Sequence, residues 1–555
     1  MKKTAALFFL FFIPLAVLYF PTRNAGFVTD FVGWQMAFDN QTFLQTLDGK
    51  GHNIGSFYQF THVLMYIMSA LFGKHGLPWY LVQCAFVALD GVLIYHLFKK
   101  ISTLFGFNDA SIIALIGIAF WLASPYLAEV MVWRAAFHYP LAFAMQTAYV
   151  LCALTFMETQ NRRYIYGANG LFFLSLFSLE YFFVTPFLIL AMLILSVLND
   201  TKQFKENRKT YLTATIAFFL TPLVGLGFYV LAFHASFGKW VSHDRQSDAP
   251  FLLFNLDSYG TYAKYVVKHL GFVRHWDSPQ KETVFNFFSN HSNQIVVMLC
   301  VLTVSLVGLA FFNRLKGFGK TLFWSFAMFS LWLIPAVSLF FSTMLLTEND
   351  RYAFIPSLFL MLIFALFLSR LPRFVFYGLS LIYLGCSLYL TIKTNRIWQK
   401  TGVVYWSLIN NYKWQDAEAE VILLNVPDCM KGMYLFKGYE YNSAFTPAID
   451  VYRRTNLSKN TTEAMRYNMI DLQSGATVVM DAPDTVRVVL KQPGSWWMMK
   501  DWSAKTYETD SFKALVREWD YQLILKPSAR KRILLYQKGL EWKVVDTTKI
   551  GVEQE

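Results

Sequence analysis

Apolar runs close to 20 residues long recur along most of this 555-residue chain, and they constrain its fold more than any other feature. A helix needs about 20 apolar residues to cross the hydrocarbon core of a bilayer. Charged residues make up 15% of the chain, whereas average globular proteins carry about 25%. The sequence therefore predicts an α-helical polytopic membrane protein. The net charge of +13 is then explained by cytoplasmic loops, and we expect no nucleic-acid partner.

We predict eleven membrane helices from these runs. They cover residues 4–20, 79–98, 110–124, 138–157, 165–179, 182–198, 211–233, 295–312, 321–343, 353–369 and 374–392. The run 57–73 fits either a twelfth span or a helix lying in the outer interface. Tyr58, Gln59, His62 and Tyr66 suit a half-wet interfacial helix.

Basic clusters decide between the two arrangements of 57–73. If this run lies on the membrane surface, every cluster falls on one side, which the positive-inside rule makes cytoplasmic. The clusters are Lys2/Lys3, Lys99/Lys100, Arg162/Arg163, Lys202/Lys205/Arg208/Lys209, Arg314/Lys316/Lys320 and Arg370/Arg373. We therefore predict a cytoplasmic N-terminus and an extracytoplasmic C-terminus.

The composition changes near residue 393. From there to residue 555 no long apolar run occurs, and short β-rich segments such as 420–427, 476–481 and 531–537 are separated by turn-forming residues. The sequence thus predicts two domains. Residues 1–392 form a transmembrane domain with long outer loops at 21–78 and 234–294, and residues 393–555 form a small mixed α/β extracytoplasmic domain.

Acidic residues gather at the predicted outer ends of the helices. Asp30 follows the first helix, Glu129 lies between the third and fourth, and Glu180 is the one charge between residues 165 and 198. An ionised carboxylate at such a position costs about 2–3 kcal/mol unless it is paired or hydrated. The stretch 345–357 adds Glu348, Asp350, Arg351 and Tyr352. Solvated helix caps and a structural ion pair around Arg351 are the simpler interpretations of the same residues.

Metal and disulfide chemistry have little support in the sequence. The five cysteines are scattered, no CxxC motif occurs, and His52, His138, His243 and His275 lack the spacing of metal ligands. We therefore predict no metal and no cofactor.

Four segments resemble motifs of the GT-C glycosyltransferases, and most closely the membrane part of the transmembrane-and-tetratricopeptide O-mannosyltransferases and their bacterial relatives. AGFVTDFVGW is similar to a motif of two adjacent acids, with Asp30 in the first place and Phe31 in the second. LAEVMVWRAAFHYPLA matches a further motif at Glu129 and Trp133, and LSLFSLEYFFVTP matches a third at Glu180. NDRYAFIPS matches an Arg-Tyr-x-x-x-Pro-Ser motif from Arg351 onward. The resemblance covers roughly residues 1–392.

The resemblance implies an enzyme that moves a sugar from a polyprenyl-phosphate donor to a hydroxyl group on a glycan, lipid or protein. Such a transfer is inverting and metal-independent, and it takes place at the outer face of the membrane among its lipids. Asp30 would be the general base, because an acceptor hydroxyl must lose its proton. Arginine suits the departing phosphate through its planar donors. The expected substrate-binding residues are Glu129, Arg134, His138, Glu180, Glu348, Asp350, Arg351 and Tyr352.

Other classes of membrane protein stay open. A glycan polymerase or ligase that uses a lipid-diphosphate donor would carry cations in a late outer loop, and 234–294 contains His243, Arg245, Arg274 and His275. A lipid-glycan transporter would show internal repeats and broken helices, and none is evident in the sequence. A receptor that works through residues 393–555 is a third alternative. A bacterial inner membrane is the expected location.

Overall fold

The computed structural model describes residues 2–48, 57–179, 184–199, 206–238, 240, 256–311, 316–339, 350–414, 418–438, 443–498 and 505–554. Up to residue 411 the described chain is mostly helical, and a region of short strands follows. The predicted apolar helices and the sheets of the C-terminal region are therefore confirmed, while the division into domains 1–392 and 393–555 stays a prediction. Residues Glu180 and Glu348, both predicted to bind substrate, lie outside the described residues.

Each predicted apolar run contains a helix. The helices with their bounds are α1 Lys2–Leu18, α2 Asp30–Asn40, α3 Phe43–Asp48, α4 Gln59–Phe72, α5 Gly76–Leu104, α6 Ala110–Leu122, α7 Ala128–Val132, α8 His138–Thr159, α9 Arg163–Leu176, α10 Thr185–Asn199, α11 Arg208–Thr215, α12 Thr221–Phe237, α13 Leu256–Gly271, α14 Ser278–Asn290, α15 Ser292–Phe311, α16 Lys316–Leu339, α17 Phe354–Leu368, α18 Arg373–Asn411 and α19 Phe445–Arg453. A π-helical turn, Ile216–Leu220, joins α11 to α12.

Six helices of the described chain are long and apolar enough to cross a membrane, and there are eight if each of two bent pairs forms one span. One bent pair is α6 with Pro125–Val132, which turn by 60°. The eleven spans predicted from the sequence therefore remain a prediction. Helix α4 has 14 residues and is about 21 Å long, which is too short to cross the roughly 30 Å hydrocarbon core. Helices α6 and α17, which lie in predicted spans, are of similar length, so the interfacial position of 57–73 stays a prediction.

The last membrane helix extends beyond the predicted domain boundary at residue 393. Helix α18 has 39 residues and is therefore about 58 Å long, roughly twice what a span needs. Its second half is buried by the C-terminal region: the Tyr405 ring stacks on Phe436 with centroids 4.9 Å apart, and Trp542 Nε1 donates to the Leu408 carbonyl oxygen at 3.1 Å. A continuous helix thus connects the bundle to the C-terminal region.

The C-terminal region contains three small sheets around α19. The strands are β1 Glu420–Leu423, β2 Val426–Met430, β3 Met433–Tyr434, β4 Thr461–Glu463, β5 Arg466–Met469, β6 Thr477–Ala482, β7 Thr485–Val489, β8 Trp496–Met498, β9 Thr506–Glu508, β10 Phe512–Val516, β11 Asp520–Leu525, β12 Arg532–Lys538, β13 Glu541–Val544 and β14 Glu553–Gln554. Their orders are β13-β12-β1-β4, β14-β6-β7-β11-β10-β9 and β3-β2-β5-β8. Strand β1 is parallel to β12 and β4, β2 is parallel to β5, and the six-stranded sheet is antiparallel.

The β2–β3 hairpin is the part of the C-terminal region that reaches the helical bundle. Lys431 and Gly432 make its turn, with φ of 49° and 77°, and this left-handed backbone matches the tight turns that join two antiparallel strands. The hairpin ends at Tyr434, whose hydroxyl bonds to Glu129 of α7. The C-terminal region is therefore packed against α7 of the bundle at this hairpin.

Close packing inside the bundle gives a test of the fold. A Cβ atom on Gly117 of α6 would lie 2.8 Å from Leu362 Cδ2 and 3.0 Å from Leu362 Cα on α17. We expect Gly117→Ala to lower the free energy of unfolding by about 1–3 kcal/mol, the usual range for overpacking. Thermal unfolding in detergent measures the change. Gly227→Ala is the control, because no atom lies within 4 Å of its Cβ position and alanine favours helices. Equal midpoints for both variants would contradict the packing described.

Candidate functional site

Asp30 opens helix α2 after a residue with an unusual backbone conformation. Thr29 has φ 52° and ψ −123°, and its side-chain oxygen accepts a hydrogen bond from the Asp30 amide. A positive φ is rare for a β-branched residue, and such strain persists only where the surroundings enforce it. The carboxyl group of Asp30 is thereby held at a fixed place, and it is partly exposed.

Three contacts fix the segment before Asp30. Trp133 Nε1 donates to the Val28 carbonyl oxygen at 3.1 Å, and the Arg134 amide donates to the Gly26 carbonyl oxygen at 3.1 Å. From the C-terminal region, the Tyr452 hydroxyl donates to the Phe27 carbonyl oxygen at 3.4 Å. The segment that precedes α2 therefore lies between the short helices after α6 and the C-terminal region.

Glu129 and Arg351 form a buried ion pair next to this loop. Arg351 donates to Glu129 twice, from its guanidinium to Oε1 at 2.5 Å and from its backbone amide to Oε2 at 3.0 Å. The Tyr434 hydroxyl donates to the same Oε1 at 3.1 Å. Glu129 is 5% exposed, so its charge is compensated by these donors rather than by water. The pair joins α7 to the segment before α17, and Tyr434 extends it to the C-terminal region.

Aromatic rings surround the Arg351 guanidinium. Its central carbon lies 4.7 Å from the Trp133 ring centre and 4.5 Å from that of Tyr352. The guanidinium also donates to the hydroxyls of Tyr434 at 3.1 Å and Tyr352 at 2.9 Å. Trp133 thus contacts both the Arg351 cation and the backbone that leads to Asp30. We call Asp30, Glu129, Arg351 and Tyr434 the junction site.

Burial and nearby polar groups shift the pKa of Asp30 in opposite directions. Burial raises the pKa of its carboxyl above the ordinary range for aspartate, and the nearby Arg351 cation, the Thr29 hydroxyl and the Lys437 cation oppose that shift. The balance leaves the pKa raised. A carboxylate with a raised pKa is a better proton acceptor once ionised, and this is the property that a general base requires.

A second charged cluster lies beside the first. Asp350 is buried and pairs with Lys268 of α13, whose Nζ is 2.7 Å from Asp350 Oδ1, and with Arg274. Both cations also lie over the Tyr126 ring, at 5.2 Å and 4.9 Å from its centre. Asp350 and Arg351 are adjacent in the chain, so this cluster lies directly beside the ion pair of Glu129 and Arg351. Helix α13 and the turn that follows it therefore contribute two cations at this point.

His269 completes the second cluster. Its ring is packed on Tyr126 with centroids 4.6 Å apart, and neither ring nitrogen has a hydrogen-bond partner among the residues that the structure describes. Burial lowers the pKa of His269 well below its ordinary value, and the Lys268 and Arg274 cations lower it further. This histidine is therefore neutral at physiological pH.

Two other predicted substrate-binding residues lie outside the junction site. Arg134 is fully buried, and its guanidinium donates to Gln83 Oε1 at 3.1 Å and to the carbonyl oxygens of Met131 and Arg23 at 3.3 Å and 2.9 Å. These contacts hold the loop backbone and indicate a structural role. His138 donates from Nδ1 to the Ala135 carbonyl oxygen at 2.7 Å, and its ring stacks on Tyr58.

The structure also brings in residues that the sequence did not suggest. Tyr434 and Lys437 come from the C-terminal region, and Lys268 and Tyr126 flank Asp350. None of them belongs to a recognisable motif, and their separation in sequence from Asp30 hides their proximity. Within the described residues, no three His, Cys, Asp or Glu side chains are grouped as a metal site would require.

Comparison of the sequence with models of known protein families finds no match, and no curated protein matches the chain either. The interpretation of the junction site therefore depends on its geometry and chemistry.

The buried ion pair gives a test of this geometry. We expect Glu129→Gln to lower the free energy of unfolding by about 3–5 kcal/mol, because one partner of a buried pair is left uncompensated. Unfolding by denaturing detergent, followed by circular dichroism, measures the loss. The control is Glu158→Gln, which removes the exposed ion pair between Glu158 and Lys100 and should cost less than about 1 kcal/mol. A loss at Glu129 no larger than in the control would contradict the assignment.

Proposed function

We propose that this protein is a membrane glycosyltransferase of the GT-C type. It would transfer a sugar from a polyprenyl-phosphate donor to a hydroxyl acceptor at the outer face of the membrane. The observation that carries the proposal is the position of Asp30 beside the Arg351 cation, at the junction of apolar helices with a polar C-terminal region. A base and a phosphate-binding cation next to a lipid-accessible bundle are the parts that this reaction needs.

The chemistry is a single displacement. The Asp30 carboxylate takes the proton of the acceptor hydroxyl, and the acceptor oxygen attacks the anomeric carbon of the donor. The bond between that carbon and the phosphate oxygen breaks, and its electron pair leaves with the lipid phosphate. Displacement from the opposite face inverts the anomeric configuration. No metal is needed in this scheme, because cationic side chains can stabilise the phosphate that departs.

Arg351 is suited to the leaving group. A guanidinium has five N–H donors, and the bonds to Glu129, Tyr434 and Tyr352 use three of them. Tyr352 and Trp133 hold its plane in place through their rings. The pair with Glu129 fixes the orientation of Arg351 while other donors stay available for an anionic ligand. Arginine in such a fixed frame recognises phosphate with little loss of side-chain entropy.

The proposal includes a membrane arrangement. The chain would cross the membrane eleven times with α4 in the outer interface, so that the N-terminus is cytoplasmic and residues 393–555 are extracytoplasmic. The ion pair between Lys100 and Glu158, near the C-terminal ends of α5 and α8, fits the predicted cytoplasmic side. A bacterial inner membrane, with a glycan, lipid or protein as acceptor, is the setting that we propose.

Substitution of the proposed base tests the function directly. We expect purified protein in detergent to transfer a radiolabelled hexose from polyprenyl phosphate to acceptors in native membranes. Asp30→Asn should lower the rate by about 10²–10⁴-fold, the usual contribution of a general base. Because burial raises the pKa of Asp30, the wild-type rate should increase with pH through a range above the ordinary aspartate value of about 3.9.

Asp39→Asn is the matched control for this experiment. Asp39 lies on the same helix, is exposed, and accepts a hydrogen bond from Gln35. Its replacement should leave the transfer rate unchanged. Equal rates for wild type and Asp30→Asn would remove Asp30 from the reaction, and no transfer by wild type from any monophosphate donor would overturn the proposed substrate.

A second function is favoured by one observation, the position of Lys268 and Arg274 around Asp350. Two further cations from the late outer loop next to Arg351 would suit a diphosphate group. The protein would then be a glycan polymerase or ligase that uses a lipid-diphosphate donor.

The choice of donor separates the two functions. We expect transfer from polyprenyl-phosphate hexoses and none from the matching diphosphate-linked sugars, because Lys268 and Arg274 are both already paired with the Asp350 carboxylate. Product formation by thin-layer chromatography is the measurement, with both donors at the same concentration and chain length. Transfer from the diphosphate alone would select the polymerase or ligase.

A further inference from the structure

The C-terminal region contributes side chains to the junction site through one hairpin. Tyr434, at the end of β3, donates to Glu129 and accepts from Arg351, both at 3.1 Å. Its ring lies 5.2 Å from Trp133 and 6.3 Å from Trp398 of α18. The end of the β2–β3 hairpin is thus packed between α7, α18 and the segment before α17.

Lys437 follows this hairpin by three residues. Its ammonium group lies 5.4 Å from the centre of the Tyr434 ring, and the side chain is half-buried. It is also close enough to Asp30 to act on that carboxyl electrostatically. Asp30 therefore has two cations near it, Arg351 from the membrane domain and Lys437 from the C-terminal region.

Further contacts lie around the junction of the first outer loop, α18 and the C-terminal region. Lys74 of the first outer loop donates to the Val451 carbonyl oxygen at 2.6 Å and lies 5.1 Å from the Tyr452 ring centre. Trp406 of α18 donates to the Asn24 carbonyl oxygen at 2.9 Å. These contacts tie α19, α18 and the first outer loop together, so the hairpin and Asp30 belong to one packed unit.

A base beside an anionic leaving group has an electrostatic problem. A carboxylate and a phosphate repel each other, and in a partly desolvated site this repulsion favours the protonated, inactive form of the acid. A cation near both groups removes the repulsion. Arg351 is already paired with Glu129, so a second cation beside Asp30 would offset the charge of the donor phosphate.

We propose that Lys437 is a phosphate-binding residue, and that the C-terminal region thereby completes the donor site. The ligand is the monophosphate of a lipid-linked sugar, which Arg351 and Lys437 would bind together. This inference rests on the proposed function. It adds to the donor site a cation that comes from the C-terminal region and not from the membrane domain. Lysine acts here as a compact charge that can follow the phosphate as it leaves.

The experiment compares three variants of the full-length protein. Lys437→Gln removes the charge, Lys437→Arg retains it, and Lys431→Gln removes an exposed charge from the turn of the same hairpin. Binding of undecaprenyl phosphate to the purified protein in detergent is the first measurement. We expect Lys437→Gln to bind about ten- to a hundredfold more weakly, as the loss of one charge-assisted hydrogen bond implies. The other two variants should bind as wild type does.

The pH dependence of transfer is the second measurement. Among the described residues, the groups that act on Asp30 are the Arg351 cation, the Thr29 hydroxyl and the Lys437 cation; Arg351 is itself bonded to Glu129 and Tyr434, and Asp39 lies exposed further along the same helix. Because the Lys437 cation lowers the pKa of Asp30, Lys437→Gln should move the acidic limb of the rate profile to higher pH. A residue with only a structural role would change the rate without moving that limb.

The outcomes separate this inference from the proposed function. If lipid-phosphate binding depends on Lys437, the inference is supported even when wild type transfers no sugar. The absence of transfer would contradict the proposed function only. Normal transfer and normal binding in Lys437→Gln would overturn the inference and leave the transferase intact. Weak binding in both Lys437→Gln and Lys437→Arg, or in Lys431→Gln, would also overturn it, because charge would then not be the cause.

Discussion

The ion pair between Glu129 and Arg351 joins three parts of this structure, and the rest of the junction site surrounds it. Arg351 comes immediately before α17, Glu129 belongs to the short helix that follows α6, and Tyr434 brings the C-terminal region onto the same carboxylate oxygen. Both side chains are largely removed from water. A buried pair of this kind adds little net stability over apolar residues, but it is costly to break. Such a pair restricts how α7, the segment before α17 and the hairpin can pack, because an arrangement that separates the partners leaves a buried charge uncompensated.

The position of Asp30 depends on this ion pair, although the Asp30 side chain makes no hydrogen bond to it. The loop that holds it is bonded to Trp133 and Arg134, and Trp133 in turn lies under Arg351. The left-handed conformation of Thr29 stores strain that this packing must offset. Displacement of Arg351 would therefore release Asp30 even though the two side chains share no hydrogen bond. The charged residues of the junction site form one mechanical unit.

Much of the fold could be predicted from the sequence, because a bilayer imposes a simple rule on length and polarity. Every apolar run contains a helix, and the β-rich segments after residue 420 form strands. The full extent of α18 could not be predicted, because beyond residue 392 its side chains pack against the C-terminal region and no longer show the apolar pattern of a span. How many helices cross the membrane depends on tilt and bends, which the pattern does not contain.

The candidate site was predictable only in part. Motif spacing indicates Asp30, Glu129 and Arg351; Arg351 pairs with Glu129 and acts electrostatically on Asp30, while their role as a site stays a prediction. Arg134 belongs to the same motif region, yet its guanidinium is occupied by backbone carbonyls. The sequence alone cannot distinguish an arginine that stabilises a loop from one that binds a ligand, because both roles use the same guanidinium N–H donors. No sequence pattern indicated Tyr434 or Lys437. Their contacts join residues about 300 to 400 positions apart, and such contacts are set by the docking of two folded regions.

Helix α18 has one further consequence, which concerns the bilayer itself. The helix runs unbroken for 39 residues from the bundle into the C-terminal region, so we expect its two halves to move together. Hydrophobic mismatch between a helix and its bilayer is relieved in part by tilting. Any tilt of the lower half is carried without a hinge to the upper half, where Tyr405 and Leu408 contact the C-terminal region. In the proposed membrane arrangement, a change of bilayer thickness would therefore act on the spacing between the hairpin and the loop before α2.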